Sequence, residues 1–275
     1  MLETKDLTIR FGGHVAVNAV SCSFAPGTLT AIVGPNGAGK TTYFNLISGQ
    51  LKASSGSVSL GGRNLSSLGV SARTRAGLGR AFQLTNLFPN LTVRENIRLA
   101  VQATRSGKHR RGLNLWSIWS DHKALLRRAE EILGTVAMQD RADAVVASLP
   151  HGDQRKLEVA LLIALEPQVF MFDEPTAGMS VDEAPVILKL IRELKRDKRK
   201  TILLVEHKMD VVRELADRII VLHNGELVAD GDPAEVIASP VVQEAYLGAG
   251  ARDASTQADA PAHPGLPPAR GRKSA

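Results

Sequence analysis

The chain of 275 residues contains one cysteine, Cys22. An internal disulfide is therefore excluded, and such cysteine usage fits a reducing compartment. Cys22 lies in the strand-like run Val20–Phe24, where a small buried side chain is expected rather than a reactive thiol. No apolar run approaches the ~18–20 residues that a membrane-crossing helix needs. The opening residues, Met1-Leu-Glu-Thr-Lys-Asp6, carry acidic groups and lack the hydrophobic stretch of a secretion signal. Internal repeats are absent. The formal charge is +6, and part of the basic excess is clustered: Arg105, Lys108, His109, Arg110 and Arg111 form one group, and Arg270, Arg272 and Lys273 another. Neither cluster is interleaved with the aromatics on which single-stranded nucleic acids stack. Nucleic acid is accordingly not expected as a partner, and the first cluster reads as a solvated or membrane-proximal loop. A hydrophobic content of 44% is ample for the core of one large domain, or of a domain with an inserted subdomain.

What is present is more specific. Gly34-Pro35-Asn36-Gly37-Ala38-Gly39-Lys40-Thr41-Thr42 fits G-x-x-x-x-G-K-[ST], the phosphate-binding loop of P-loop nucleotidases. The apolar run Leu29–Val33 before it reads as a buried strand, and Thr42–Ser48 after it as a helix. The loop thus lies where strand meets helix N-terminus, the geometry that gathers N–H groups around an anion. Lys40 would reach the β- and γ-phosphates, and the Thr41 hydroxyl would ligate Mg²⁺. The loop predicts nucleotide binding, without saying how the energy is used.

Elsewhere the pattern alternates strand and helix. Leu2–Ile9, Val15–Phe24 and Leu29–Val33 read as an opening antiparallel group, and Ser57–Leu60 as a short strand ended by Gly61-Gly62. Ala72–Gly79 reads as a basic helix. Thr92-Val-Arg-Glu95 fits a capping box that opens a helix running to about Thr104. Ser106–Asp121 reads as an insertion carrying Trp116 and Trp119, the only tryptophans, and Asp121–Val136 as a helix with Leu125, Leu126, Ala129, Ile132 and Leu133 on one face. A further helix is predicted from about Asp153 through Leu165. Val169–Asp173 and Thr201–Val205 are continuous apolar runs, the signature of parallel strands buried on both faces. A helix over about Asp182–Lys195 separates them. Asn224-Gly225 between Ile219–Leu222 and Glu226–Val228 predicts a type I′ hairpin, and Asp232-Pro233 a helix start. Asp173 closes its apolar strand where a Mg²⁺-holding carboxylate belongs, and the adjacent Glu174 can orient or deprotonate an attacking water.

Taken in order, these motifs resemble the ATPase subunits of ABC transporters. Besides the P-loop and Asp173-Glu174, they include Gly79-Arg-Ala-Phe-Gln83, Leu149-Pro-His-Gly-Asp-Gln154, Ala177-Gly-Met-Ser180 and Val205-Glu-His207. The resemblance covers about Leu2 to Gly248. It implies an α/β fold: a P-loop NTPase core with an antiparallel β subdomain and an α-helical subdomain inserted at about 84–165. The domain spans 1–248, and a Pro/Ala-rich tail over 249–275 is expected to be disordered. The resemblance further implies that Phe11 stacks on adenine and that Gly34, Pro35, Asn36, Gly37, Ala38, Gly39, Lys40, Thr41 and Thr42 bind the phosphates. Thr41, Gln83 and Asp173 would hold Mg²⁺, Glu174 would be the general base, and His207 the switch that contacts the γ-phosphate. His151 and Gly152, in the signature segment, would close over the ATP of a second subunit.

Two departures stand out. The usual signature is L-S-G-G-Q, whereas this chain has Leu149-Pro-His-Gly-Asp153; Ser180 also stands where an Asp is usual. Asp153 is expected to turn away from the phosphate and cap its own helix. The start Phe11–Asn18, the Trp-containing insertion and the ending Gly231–Gly248 resemble the larger ATPase subunit of branched-chain amino-acid importers. Urea- or amide-type importers, lipopolysaccharide export and, in a different class, a soluble non-transport ABC ATPase remain open at this point. The implied partners are a second ATPase subunit (a heterodimer is favoured, a homodimer left open), two membrane-spanning permease subunits and, indirectly, a periplasmic substrate-binding protein. The implied place is the cytoplasmic face of the bacterial inner membrane.

Overall fold

The computed structural model describes residues 1–81, 87–106, 115–180 and 182–244; the side chains of 105–122 are not described. The Gln83 assignment, the tail over 249–275 and the cluster at 270–273 lie outside the described residues. So do the side chains of the basic cluster at 105–111 and of Trp116 and Trp119.

The N-terminal strands β1 (Leu2–Phe11) and β2 (His14–Phe24) pair antiparallel, and β4 (Ser55–Leu60) and β5 (Arg63–Asn64) complete a four-stranded sheet in the order β2-β1-β4-β5. Strand β3 (Leu29–Val33), grouped by sequence with these antiparallel strands, belongs instead to a second sheet. All five of its residues are buried, which requires cover on both faces, and a one-sided antiparallel meander cannot supply that. The second sheet runs β10-β9-β3-β8-β7-β6, with β6 (Leu78–Ala81), β7 (Val169–Asp173), β8 (Thr201–Val205), β9 (Arg218–His223) and β10 (Glu226–Gly231). Its pairs are parallel except β9–β10.

The alternation of side chains along β7 and β8 divides the core. Phe170, Phe172, Ile202 and Leu204 face the helical subdomain and its neighbours, whereas Val169, Met171, Leu203 and Val205 face the helix Lys40–Ser48 and the antiparallel sheet. Each of these buried side chains contributes on the order of 1.5–3 kcal/mol, an upper estimate because unfolded chains already bury some surface.

Two helices differ from the sequence expectation. The basic helix α2 covers Val70–Arg75 and stops before Gly77, whose φ of 108° no helix accepts; Leu78–Ala81 then pairs with β7 as a strand. Burial of Leu78 and Ala81 in the sheet outweighs their helical neighbourhood. The helix expected over Asp121–Val136 starts earlier, because α4 begins at Leu115 and runs to Thr135, and so takes in positions 116 and 119. It packs beside α3 (Val93–Ser106) and α5 (His151–Ala164), with Ile97, Val101, Leu125, Ala129, Ile132, Leu133 and Leu157 buried together. The capping box opens α3: the Thr92 N–H donates to Glu95 Oε2 at 2.8 Å, and the Glu95 N–H donates to Thr92 Oγ1 at 3.2 Å. The Thr92 N–H and, at 3.0 Å, the Thr92 hydroxyl both donate to the Glu95 carboxylate and pull it below its ordinary range. Cys22 is buried. Among the described residues no helix is long and apolar enough to cross a membrane.

Candidate active site

Strand β3 delivers the chain to Gly34 and the helix α1 (Lys40–Ser48) takes it away at Gly39. Both glycines are conformationally required. Gly34 has φ 149°, and a β-carbon there would overlap the carbonyl oxygen of Leu222; Gly39 has φ 94°, and a β-carbon there would run into the carbonyl oxygen of Ala16. The loop is held from outside as well: Gly225 N–H donates to Ala38 O at 3.1 Å, and Asn18 N–H to Gly225 O at 2.8 Å. Asn224 and Gly225 have φ 49° and 80°, the two positive values that a type I′ turn demands. Pro35 and Ala38 are buried, while Asn36 and Gly37 form the exposed tip and Thr41 is exposed at the start of α1.

Gly39 caps α1 without a side chain, so the first-turn N–H groups have no side-chain acceptor and present a positive helix end. Lys40 folds back into the loop, its Nζ donating to Gly34 O at 2.7 Å and Pro35 O at 2.9 Å. Burial pulls its ammonium down from the usual range, and the carboxylates of Glu174 and Asp173 push it back up. A half-buried ammonium in a glycine-rich loop at a helix N-terminus fits a polyphosphate.

Asp173 ends β7 beside this loop and is paired with Arg80 of β6 at 2.8 Å, each side chain only 8% exposed. Arg80 also donates to Asn45 Oδ1 (2.6 Å), Ser48 Oγ (2.9 Å) and Gln50 Oε1 (3.0 Å), and it lies over the Phe44 ring at 5.2 Å. Burial pushes the Asp173 carboxyl up; Arg80 chiefly pulls it down, Glu174 adds to the rise and Lys40 to the fall. The sequence reading missed Arg80, although a charge inside the otherwise buried strand Leu78–Ala81 was the available signal.

Glu174 sits at φ 47°, a left-handed backbone that a residue with a β-carbon adopts only under constraint. The constraint is visible: its N–H donates to Val205 O at 2.9 Å, and its carbonyl accepts from Ala177 N–H at 3.0 Å. Its Oε1 lies 3.6 Å from His207 Nδ1, with both side chains about half exposed. Glu174 and His207, 33 positions apart in sequence, are thus brought together at the ends of β7 and β8. Phe11 closes β1, is half exposed and pairs in register with His14. Strand β2, which begins at His14, also supplies the Ala16 carbonyl that abuts Gly39.

The signature segment differs in detail from expectation. The helix α5 begins at His151, not near Asp153, and Pro150 is its N-cap. Proline at this position needs no N–H of its own, which is why the helix can start there. Asp153 is held by cations and not at the cap position: its carboxylate pairs with Lys156 at 2.9 Å and approaches Arg141 at 3.8 Å. Gly152 is buried because the Glu183 carboxylate lies against it. Glu183 Oε2 also accepts from the Ser180 N–H and Oγ, each at 3.1 Å. Among the described residues no group of three or more His, Cys, Asp or Glu could enclose a metal alone. One carboxylate and one hydroxyl suit a cation that completes its shell with phosphate oxygens and water, which is the habit of Mg²⁺.

A glycine-rich loop on a helix N-terminus, a lysine curled into it, and a carboxylate pair at the end of β7, a parallel strand of the same sheet, define a P-loop nucleotidase. The sequence profile of the ABC transporter family matches residues 17–177, and that of the branched-chain amino acid ATP-binding cassette transporter matches residues 226–252. The chain belongs to the ABC transporter family, as an ATP-binding cassette with ATPase chemistry. It is 37% identical over 249 residues to the high-affinity branched-chain amino acid transport ATP-binding protein LivG of Salmonella typhimurium, spanning 90% of this chain and 98% of that one. BraF of Pseudomonas aeruginosa, with the same description, is 34% identical over the same shares. Among solved structures, the ADP conformation of MJ1267, an ATP-binding cassette of an ABC transporter, superposes with a TM-score of 0.74 at 28% identity, covering 90% of this chain and 98% of that one. A dimeric post-hydrolysis cassette, MJ0796 bound to ADP and phosphate, gives a TM-score of 0.71 at 26% identity, covering 85% and 99%.

Proposed function

We propose that this chain hydrolyses ATP at the Gly34–Thr42 loop to power a membrane importer of branched-chain amino acids. The observation that carries the chemistry is the convergence of Lys40, Asp173, Glu174 and His207 at the mouth of the second sheet. Support for the substrate class comes from LivG and BraF, matched almost end to end, and from the profile match over 226–252.

In this reading the loop N–H groups and Lys40 bind the triphosphate. Thr41 and Asp173 would hold Mg²⁺, which supplies charge neutralisation of the phosphate oxygens; Gln83 would join them. Glu174 accepts a proton from the attacking water, a role suited to a half-exposed carboxylate whose backbone is locked. His207, 3.6 Å from Glu174, reaches the γ-phosphate. Phe11 offers an aromatic face for adenine. The positive end of α5, with His151 and Gly152 in its first turn, serves the second ATP of a two-cassette dimer, and a heterodimer is the favoured arrangement. The partners are two permease subunits, fed by a periplasmic binding protein, and the cassette lies on the cytoplasmic face of the inner membrane. Nucleic acid is not among the partners.

The test is ATP-driven leucine uptake into vesicles carrying the chain, its partner cassette and the permeases. Uptake of urea but not leucine would refute the substrate assignment. ATP turnover with no membrane dependence in any reconstitution would refute the transport role.

A further inference from the structure

Glu206, between the last residue of β8 and His207, is only 1% exposed. It is far more buried than His207 itself, whose side chain is 56% exposed. A buried carboxylate needs several donors, and Glu206 has three. Oε2 accepts from the backbone N–H of His207 at 2.9 Å and of Lys208 at 3.1 Å, and Oε1 accepts from Thr176 Oγ1 at 3.1 Å. Lys208 Nζ donates to the same Thr176 oxygen at 3.4 Å, so the hydroxyl relays between cation and carboxylate. Thr176 is itself 1% exposed and lies two residues beyond Glu174, in the turn closed by Ala177 N–H to Glu174 O.

We infer that Glu206 is a positioning residue that fixes His207 relative to Glu174. One carboxylate grips the backbone on which His207 rides; its other oxygen grips the turn on which Glu174 rides. The separation of the two functional side chains is thereby set by a buried clamp and not by their own exposed, weakly held contact. A site whose hydrolysis depends on the placement of His207 and Glu174 loses rate when that placement drifts: a shift of about 1 Å costs about 10²-fold. The residue touches no reacting atom, so its effect passes through the placement of His207 relative to Glu174, which has no meaning once the imidazole is removed. This inference rests on the ATPase reading above.

The experiment compares Glu206→Ala, Glu206→Gln, His207→Ala and the Glu206→Ala/His207→Ala double variant. ATPase kinetics, ATP affinity and hydrogen exchange of the peptide around 201–213 are measured on each. Glu206→Ala is expected to lower kcat by about 10²-fold while ATP affinity stays within about twofold, the split expected when only the transition-state arrangement is disturbed. Its His207 and Lys208 amides are expected to exchange faster, having lost their acceptor. Glu206→Gln keeps a carbonyl oxygen for both N–H groups and reverses the third bond, its amide donating to Thr176 Oγ1, and is expected to retain kcat within about threefold because both ends of the clamp stay tied. The double variant is expected to match His207→Ala alone, since residues acting as a unit are non-additive. The inference is overturned if the two losses multiply, if Gln falls as far as Ala, or if the exchange of the two amides does not change. Absence of ATP turnover in the unsubstituted protein would refute the ATPase reading instead, and the exchange measurement would still judge the clamp.

Discussion

Replacing Arg80 by Met in the nucleotide-free protein isolates a buried ion pair that reaches the candidate metal position. Met keeps an unbranched apolar stem and removes the guanidinium, both its charge and its place over the Phe44 ring. Asp173, 8% exposed, is left as an uncompensated buried carboxylate, and Asn45, Ser48 and Gln50 each lose a donor. Breaking a buried pair from one side costs about 3–5 kcal/mol. At roughly 2–4 °C per kcal/mol for a domain of this size, the melting temperature should fall by about 6–20 °C. The pH dependence supplies the sharper test. Burial has already raised the Asp173 carboxyl above its ordinary range, and removing Arg80 raises it further. Between the ordinary carboxylate range and that raised value the folded variant binds a proton that the unfolded chain does not, so its stability grows as pH falls. Urea unfolding at pH 7.5 and 5 should therefore show the gap to wild type narrowing in acid. Asp173→Asn added to Arg80→Met should recover part of the loss and abolish the narrowing. A gap below about 1 kcal/mol, the level of an exposed pair, or one independent of pH, would refute the argument that Arg80 acts through the Asp173 charge.

Three further outcomes follow from the same geometry. Lys40→Ala should abolish tight nucleotide binding, measured with a fluorescent ATP analogue, because its ammonium is the cation folded into the loop; wild-type affinity would mean the loop is not the site. Glu174→Gln should leave ATP binding intact and slow hydrolysis by about 10²–10⁴-fold, the usual worth of a general base, and an unchanged single-turnover rate would remove Glu174 from that role. Thr92→Ala should cost about 1 kcal/mol by chemical denaturation, the value of an N-cap hydroxyl, with no change in nucleotide affinity; a loss of affinity would show that the capping box reaches the site.

The parts of this site legible in the sequence are those carried by local spacing. The P-loop, the apolar strand ending in Asp173-Glu174, the Thr92–Glu95 box and the Asn224-Gly225 turn each specify a backbone shape within ten residues. What escaped was set by contacts across the chain. Arg80 meets Asp173 across 93 positions and Glu206 meets Thr176 across 30; no local pattern encodes either pairing. Asp153 illustrates the converse. It is a good cap by type, yet two nearby cations hold its carboxylate and Pro150 takes the cap position. Strand β6 was hidden for a similar reason, since four residues after a short helix become a strand only because β7 lies alongside.

The position of β3 has a consequence for the order in which the protein can be made. This strand, which feeds the phosphate loop, is flanked by β8 and β9, whose residues begin about 170 and 185 positions later. The loop's outer brace, Gly225, comes later still. A nascent chain of 200 residues already carries every atom of the Gly34–Thr42 segment, but none of the three elements that press it into shape. Such non-local closure is slow to reach and leaves early chains with open strand edges. Nucleotide capture is therefore a late event in biosynthesis: a ribosome-stalled fragment ending before β9 should fail to retain ATP, and an incomplete cassette cannot consume it.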